Sequence, residues 1–310
     1  MEPGTWRHIR GKTWCLDGHM TIPVYLLNRR EAVLLDSGYA DRDRPLLEAL
    51  LREKGLRVRA ILGSHSHNDH NGNHAYFQKA HGAEIILRDI EAAAVSDFSL
   101  MTAVYAPGTA EELARELPHL LLKADRVFSA SDRSVDVDGE TFSLIPLPGH
   151  TPGHTGIVTP DGVFYVGDGV LSGPVLEKAK LPSTMDWERD LESKQRLYGM
   201  EYPCYVLAHS GVYEDIRALV EENAADKRRR AGEILGWLRG RERWTESEAE
   251  RLLWERLGVR SASFMGRTIF RRNVRCALEY LARTGAVSKE IRMGAACYAA
   301  ISPECREESE

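Results

Sequence analysis

The sequence predicts a large α/β layered domain followed by a smaller helical one. Three observations lead there. Short apolar segments alternate with helical ones, in the order strand–helix–strand–loop–helix–strand. Each apolar segment delivers a polar loop, the position that open α/β folds use for ligands. Near Tyr213 this pattern gives way to long, charged helical stretches. The expected division is residues 1–213 and 214–310, in keeping with a chain of 310 residues, longer than one ordinary domain.

The elements follow in order. Met20 to Leu27 and Ala32 to Leu35 form a β-hairpin about the polar turn Asn28-Arg29-Arg30-Glu31, and the second strand runs into Asp36-Ser37-Gly38. Leu46, Leu47, Leu50 and Leu51 recur at helical spacing within Arg44 to Lys54. Val58 to Leu62 is a strand that leads directly into a histidine-rich loop. Asn73 to His81 is a helix stopped by Gly82, and Ala83 to Leu87 is another strand. Phe142 to Pro146, Gly162 to Val166 and Tyr205 to Ala208 repeat the strand-then-polar-loop pattern. In the tail, Asp215 to Leu238 is a helix containing Lys227-Arg228-Arg229-Arg230. Thr245 and Glu248 read as a capping box opening a helix to Leu257. Phe264 to Arg283 places Ile269, Val274, Ala277, Leu278 and Leu281 on one face, and Gly285 is its stop. Ala286 to Ile301 is a hairpin about Met293-Gly294. Helices followed by a hairpin predict a winged-helix-like module.

Composition narrows the function classes. Apolar (43%) and charged (28%) fractions are those of a globular protein, and a net charge of −5 gives no general attraction to nucleic acid or membrane. An acidic body is followed by a mildly basic tail. The five cysteines, Cys15, Cys204, Cys276, Cys297 and Cys305, contain no CxxC pair and do not form a disulfide framework. Met1 to Arg10 carries no apolar run of secretory length, and no stretch approaches a membrane span. A cytoplasmic location is expected, with no membrane partner.

The chemistry concentrates in His65-Ser66-His67-Asn68-Asp69-His70, where four side chains of metal-ligand type lie within six positions. His65 and His67, two apart, can point the same way, while Asp69 and His70 lie past the bend. One loop can thus serve two metals about 3.5–4 Å apart. Burying four such groups without a metal or partners would be costly. Three more candidates follow strands: His150 in Pro148-Gly149-His150-Thr151-Pro152-Gly153-His154, Asp168 in Gly167-Asp168-Gly169, and His209 in Ala208-His209-Ser210-Gly211. This donor mix suits zinc, with iron or manganese as alternatives.

Taken together, His65, His67, Asp69, His70, His150, Asp168 and His209 resemble the HxHxDH…H…D…H pattern of the metallo-β-lactamase superfamily, over roughly residues 5 to 215. The resemblance implies a four-layer αββα sandwich. It implies that His65, His67 and His150 bind one metal, that Asp69, His70 and His209 bind the other, and that Asp168 bridges them. Asp36 matches the family's acidic residue behind the metal loop, which orients ligands. The family's ligand is the first His of the HTPGH segment, so His154 is assigned a supporting role. His74 and His81 are surface or packing residues, and His119 has no motif context. One departure is Asn71-Gly72-Asn73, where many members have Gly-Gly; Asn73 is expected to cap the next helix.

The function so implied is hydrolysis of a small-molecule ester, thioester or lactone by a metal-bridging hydroxide, with Asp168 bridging and Asp69 both ligating and accepting a proton. Zinc β-lactamases lack an Asp at the position of Asp168, which turns the expectation away from antibiotics and toward glyoxalase II-like thioesterases and lactonases. The Arg/Lys determinants for glutathione are not recognisable, and the Tyr that often follows the bridging Asp in lactonases is replaced by Gly169-Val170-Leu171-Ser172. Two alternatives are weighed. A winged-helix-like tail resembles a branch with RNA-cleaving members, and Lys227 to Arg230 with Arg271-Arg272 would meet phosphates; a solvated helix face explains such a run better. An iron-dependent oxidoreductase is the other, and seven ligands fit it less well than a dinuclear hydrolase. The tail is expected to cover the cleft mouth or to make a homodimer contact.

Overall fold

Strands whose residues are buried on both faces need a layer on each side, and several strands here are of that kind. The structure, a computed structural model, describes residues 4–105, 109–261 and 264–301. A seven-stranded sheet runs in chain order: β1 (Thr5–Arg10), β2 (Thr13–Asp17), β3 (Thr21–Leu26), β4 (Glu31–Leu35), β5 (Arg57–Leu62), β6 (Glu84–Arg88) and β7 (Arg126–Phe128). The first four strands are an antiparallel meander; β4 to β7 are parallel. A six-stranded sheet is built from β8 (Ser134–Val137), β9 (Glu140–Pro146), β10 (Thr155–Val158), β11 (Val163–Gly167), β12 (Cys204–Leu207) and β13 (Gly211–Tyr213). The two sheets share one core, where Leu16, Ile22 and Val33 meet Phe142, Ile157 and Val206.

Helices α1 (Asp43–Lys54), α2 (Asn68–Asn71), α3 (His74–His81), α4 (Asp89–Ser96), α5 (Phe98–Tyr105) and α6 (Ala110–Glu116) accompany the first sheet. Helices α7 (Gly173–Ala179), α8 (Trp187–Tyr198) and α9 (Arg217–Leu238) lie behind the second, where Leu197 and Val220 pack on Phe164 and Val166. The result is the four-layer αββα arrangement. The tail adds β14 (Trp244–Thr245), α10 (Glu246–Arg256), α11 (Phe264–Arg283), β15 (Val287–Arg292) and β16 (Ala295–Ala300), the strands pairing in the order β14-β16-β15. Its core joins Ile234 and Leu238 of α9 to Leu253, Val274, Leu278 and Tyr298. The capping box of Thr245 with Glu248 is formed, and Gly285 adopts φ 68° at the end of α11. No described helix is long and apolar enough to cross a membrane.

Two differences from the sequence reading stand out. The hairpin β1–β2 precedes the predicted first strand; β1 is mostly exposed, so it carries no apolar alternation to announce it. Asn73 precedes α3 but makes no side-chain cap. Its amide instead donates to the carbonyls of Ser37 (2.7 Å), Gly38 (3.2 Å) and Tyr39 (3.1 Å), because the loop after β4 crowds three acceptors against it.

Pairing direction gathers the polar loops. Because β4 and β5 are parallel, Leu35 lies opposite Leu62 and the segments after both leave the same edge. Parallel β11 and β12 do the same for Asp168 and His209, with Gly167 opposite Leu207. The β9–β10 turn carrying His150 opens at this edge too, and Thr155 N–H donates to Ser64 C=O across the sheets at 2.9 Å. Gly149 permits that turn: its φ is 137°, and a Cβ there would lie 2.4 Å from Asp190 Cα. Gly149→Ala combines a strained backbone with a backbone clash, each disfavoured by about 1–3 kcal/mol. Chemical denaturation should show a loss on the order of 3 kcal/mol; a midpoint equal to the parent's would refute the packing described here.

Candidate metal centre

His65, His67 and His150 converge. His65 Nε2 lies 3.0 Å from His67 Nδ1, which lies 2.8 Å from His150 Nε2, which in turn is 3.2 Å from His65 Nε2. The surroundings decide the tautomers. Ser64 Oγ donates to Asp36 Oδ2 (2.6 Å) and so accepts from His65 Nδ1 (3.0 Å), leaving Nε2 a bare lone pair. His150 Nδ1 donates to the Ser183 carbonyl (2.8 Å), leaving its Nε2 bare as well. The bare Nε2 lone pairs of His65 and His150, 3.2 Å apart, cannot satisfy each other. A cation among them can.

The second cluster is Asp69, His70, Asp168 and His209. His209 Nε2 stands 3.3 Å from Asp69 Oδ2 and 3.3 Å from Asp168 Oδ1, and His70 Nε2 is 3.3 Å from the same Asp168 oxygen. The other Asp168 oxygen, Oδ2, is 3.3 Å from His150 Nε2. One carboxylate therefore addresses both clusters. His70 Nε2 and Asp168 Oδ1 are buried without a hydrogen-bond partner, a costly arrangement that a cation relieves. The donor sets, three imidazoles on one side and two imidazoles with two carboxylates on the other, fit a dinuclear metal site.

Protonation agrees with this division. Burial, reinforced by neighbouring imidazoles, holds His65 and His67 well below the ordinary histidine value, so they are neutral donors. Burial acts the same way on His70 and His209, but the Asp168 and Asp69 carboxylates outweigh it. They hold His70 well above its ordinary value and push His209 up to about 10.

Supporting residues fix these groups. Asp36, fully buried with φ 63°, accepts from Ser64 N–H (2.7 Å), Ser64 Oγ (2.6 Å), Tyr165 Oη (2.7 Å) and His70 Nδ1 (2.7 Å). His154 is not in either cluster; its Nε2 accepts Asp168 N–H at 3.1 Å, and Gly167, with φ 56°, leaves room for that ring. His74 is buried, with Nδ1 2.7 Å from Ser37 Oγ; His81 Nδ1 accepts Val58 N–H at 3.1 Å. His119, which had no motif, lies 2.7 Å from Asn68 Oδ1 in the metal loop.

Glu91 and Tyr165 were missed in the sequence. Glu91 is a buried carboxylate that accepts from Ser66 N–H (3.1 Å), Ser66 Oγ (2.5 Å), Thr151 Oγ1 (2.6 Å) and Gly153 N–H (2.9 Å). It clamps the histidine loop to the His150 turn from below. Nothing in Asp89-Ile90-Glu91-Ala92-Ala93-Ala94 sets it apart from an ordinary first helical turn. Tyr165 shares that anonymity within an apolar strand.

Two cavities flank the clusters. A cleft of about 520 Å³ is lined by His67, Asp69 and Asp168, by the apolar Met101, Leu113 and Leu117, and by Ile269 and Arg272 of α11. A smaller one lies on the side of His209. The tail thus contributes a wall to the cleft over the candidate ligands.

Proton and metal compete for His70 and His209, so metal uptake here should release protons, and affinity should fall as pH is lowered below the raised histidine values. Calorimetry of zinc binding in two buffers of different ionisation enthalpy measures that release; none at neutral pH would contradict the electrostatics. Asp36→Ala removes the acceptor behind His70 and should weaken metal affinity about 10–100-fold in a chelator competition.

The chain is similar to known proteins in sequence and in fold. The profile of the metallo-beta-lactamase superfamily matches residues 18–209. Hydroxyacylglutathione hydrolases from Methylobacillus flagellatus and Alkalilimnicola ehrlichii are 33% and 31% identical over 157 and 146 residues, or 49% and 47% of this chain. The matches take in 46% and 44% of those relatives, so the chain spans under half of their length. Two solved structures share the fold at low identity. A beta-lactamase domain protein from Burkholderia ambifaria has a TM-score of 0.70 at 17% identity, covering 97% of this chain and 94% of its own. A metallo-beta-lactamase family protein from Thermus thermophilus has a TM-score of 0.68 at 23% identity, covering 91% and 94%. From fold, converging donors and matched sequence together, the chain belongs to the metallo-β-lactamase superfamily.

Proposed function

We propose that this protein is a metal-dependent hydrolase with two zinc ions, acting on a small-molecule thioester, ester or lactone. The observation that carries this is the convergence of three imidazole nitrogens beside a second cluster, with Asp168 addressing both. In the proposed assignment His65, His67 and His150 hold one ion, Asp69, His70 and His209 hold the other, and Asp168 spans them. When bound, such a pair supplies a nucleophilic water at neutral pH and stabilises negative charge on the substrate oxygen. The named hydroxyacylglutathione hydrolases support the thioester reading within the ester class.

The chain's own groups do the rest. Asp69, exposed toward the cleft more than Asp168, is placed to accept a proton as well as to ligate. Met101, Leu113, Leu117 and Ile269 give the cleft an apolar wall for the substrate's carbon chain, and exclude water from it. Arg272, which donates to Ser183 Oγ at 3.0 Å, brings a positive charge to the same wall. In this proposal the tail, a winged-helix-like unit, serves the site as a wall.

The test is metal analysis joined to a panel of thioesters, esters, lactones and phosphodiesters. About two zinc ions per chain and hydrolysis of at least one ester-type substrate are expected. His67→Ala should lower kcat/KM by more than the roughly 10–100-fold that loss of a supporting contact causes. Full turnover in the chelated protein would refute the proposal.

A further inference from the structure

The smaller cavity, about 190 Å³, is lined by Asp168 and His209 on one side and by residues of α8 and α9 on the other. Its charges are unbalanced. Lys194 Nζ donates to both oxygens of Asp190, at 2.8 and 2.7 Å. Lys227 Nζ lies 2.9 Å from Asp190 Oδ2 and donates to Thr184 Oγ1 at 2.9 Å, with the Trp187 ring 4.9 Å away. Two ammonium groups thus share one carboxylate. The two lysine side chains are only 6% and 10% exposed. The other charged groups on this wall are matched: Arg230 pairs with Glu233, and Asp226 with Arg229.

One positive charge is therefore left over in buried surroundings, where an uncompensated ion is strongly disfavoured. Burial draws the Lys227 pKa below its ordinary value, as expected for an ammonium short of countercharge. Each ammonium has three N–H donors. Asp190 occupies two on Lys194, and Asp190 with Thr184 occupies two on Lys227. One N–H on each has no acceptor among the described residues, and both nitrogens touch the same Asp190 oxygen. Two adjacent spare donors match the two oxygens of a carboxylate.

We propose that this cavity is a carboxylate subsite, in which Lys227 and Lys194 hold an acid group of the substrate beside the candidate metal ligands. The inference rests on the hydrolase reading above and adds that the ester or thioester is itself an acid. Leu176 and Leu181 close around the cavity, so the acid sits on a short chain, and the wider cleft takes the remainder.

The test compares a succinyl thioester with its succinamoyl counterpart, which carries an amide in place of the acid, on zinc-loaded protein. The parent should prefer the acid. Lys227→Met leaves a matched Lys194–Asp190 pair and should lower the acid-to-amide ratio of kcat/KM about tenfold or more, chiefly through KM, as loss of a charge-assisted hydrogen bond does. Lys227→Arg should restore part of it. Calorimetric titration of the zinc-loaded parent with succinate should show binding that Lys227→Met weakens by a similar factor. A parent ratio near one, or a ratio and succinate affinity unmoved by Lys227→Met, would overturn the subsite. If neither thioester is hydrolysed, the hydrolase reading is decided by the wider substrate panel, and succinate binding decides the subsite. Should Lys227→Met not fold, the parent ratio and titration decide alone.

Discussion

Everything at the site hangs on one buried carboxylate. Asp36 sits at the end of β4 and collects donors from the segment after β5, from β11 in the opposite sheet and from His70. Those bonds tie both sheets and the histidine loop to a single point. A carboxylate this deeply buried remains charged only when its oxygens are fully used. Burial would raise its pKa, yet His70, Ser64 and Tyr165 hold it lowered. The arrangement thus protects itself: loss of any donor would make the ion harder to keep, and the histidine it aims would lose its orientation.

The candidate ligands were legible because their chemistry leaves a dense trace. Four donor side chains within six residues, and Gly-flanked His or Asp after strands, are signals of composition and spacing. The layered order was legible for the same reason, since apolar runs end abruptly in polar loops. What stayed hidden depends on partners distant in the chain. Glu91 meets Thr151 across sixty positions, and its role exists only once two loops are brought together. Asn73 looked like a cap by its place before α3, but the carbonyls of the Ser37–Tyr39 loop recruit its amide. Strand β1 was silent because exposure on both faces erases alternation. Local rules describe neighbours in sequence; these residues answer to neighbours in space.

In the proposed function, the cleft is where a shared metal site would acquire a particular substrate. The candidate ligands fall within the matched residues 18–209, while Ile269, Arg272 and Lys227 lie beyond them. In the proposed function, selectivity therefore draws in part on chain beyond the stretch that carries the candidate ligands. A change in the tail alters what reaches the metal loop without touching the loop itself.

Helix α9 carries a consequence of its own. Its first turns, with Val220, belong to the core behind the second sheet, and its last, with Ile234 and Leu238, belong to the tail's core. A rigid element shared in this way couples the two cores into one cooperative unit, since each core holds one end of it. Lys227 lies between those two ends. In the proposed function, heat or denaturant that loosens α9 would therefore remove substrate discrimination and the metal loop together, so that loss of selectivity would track unfolding.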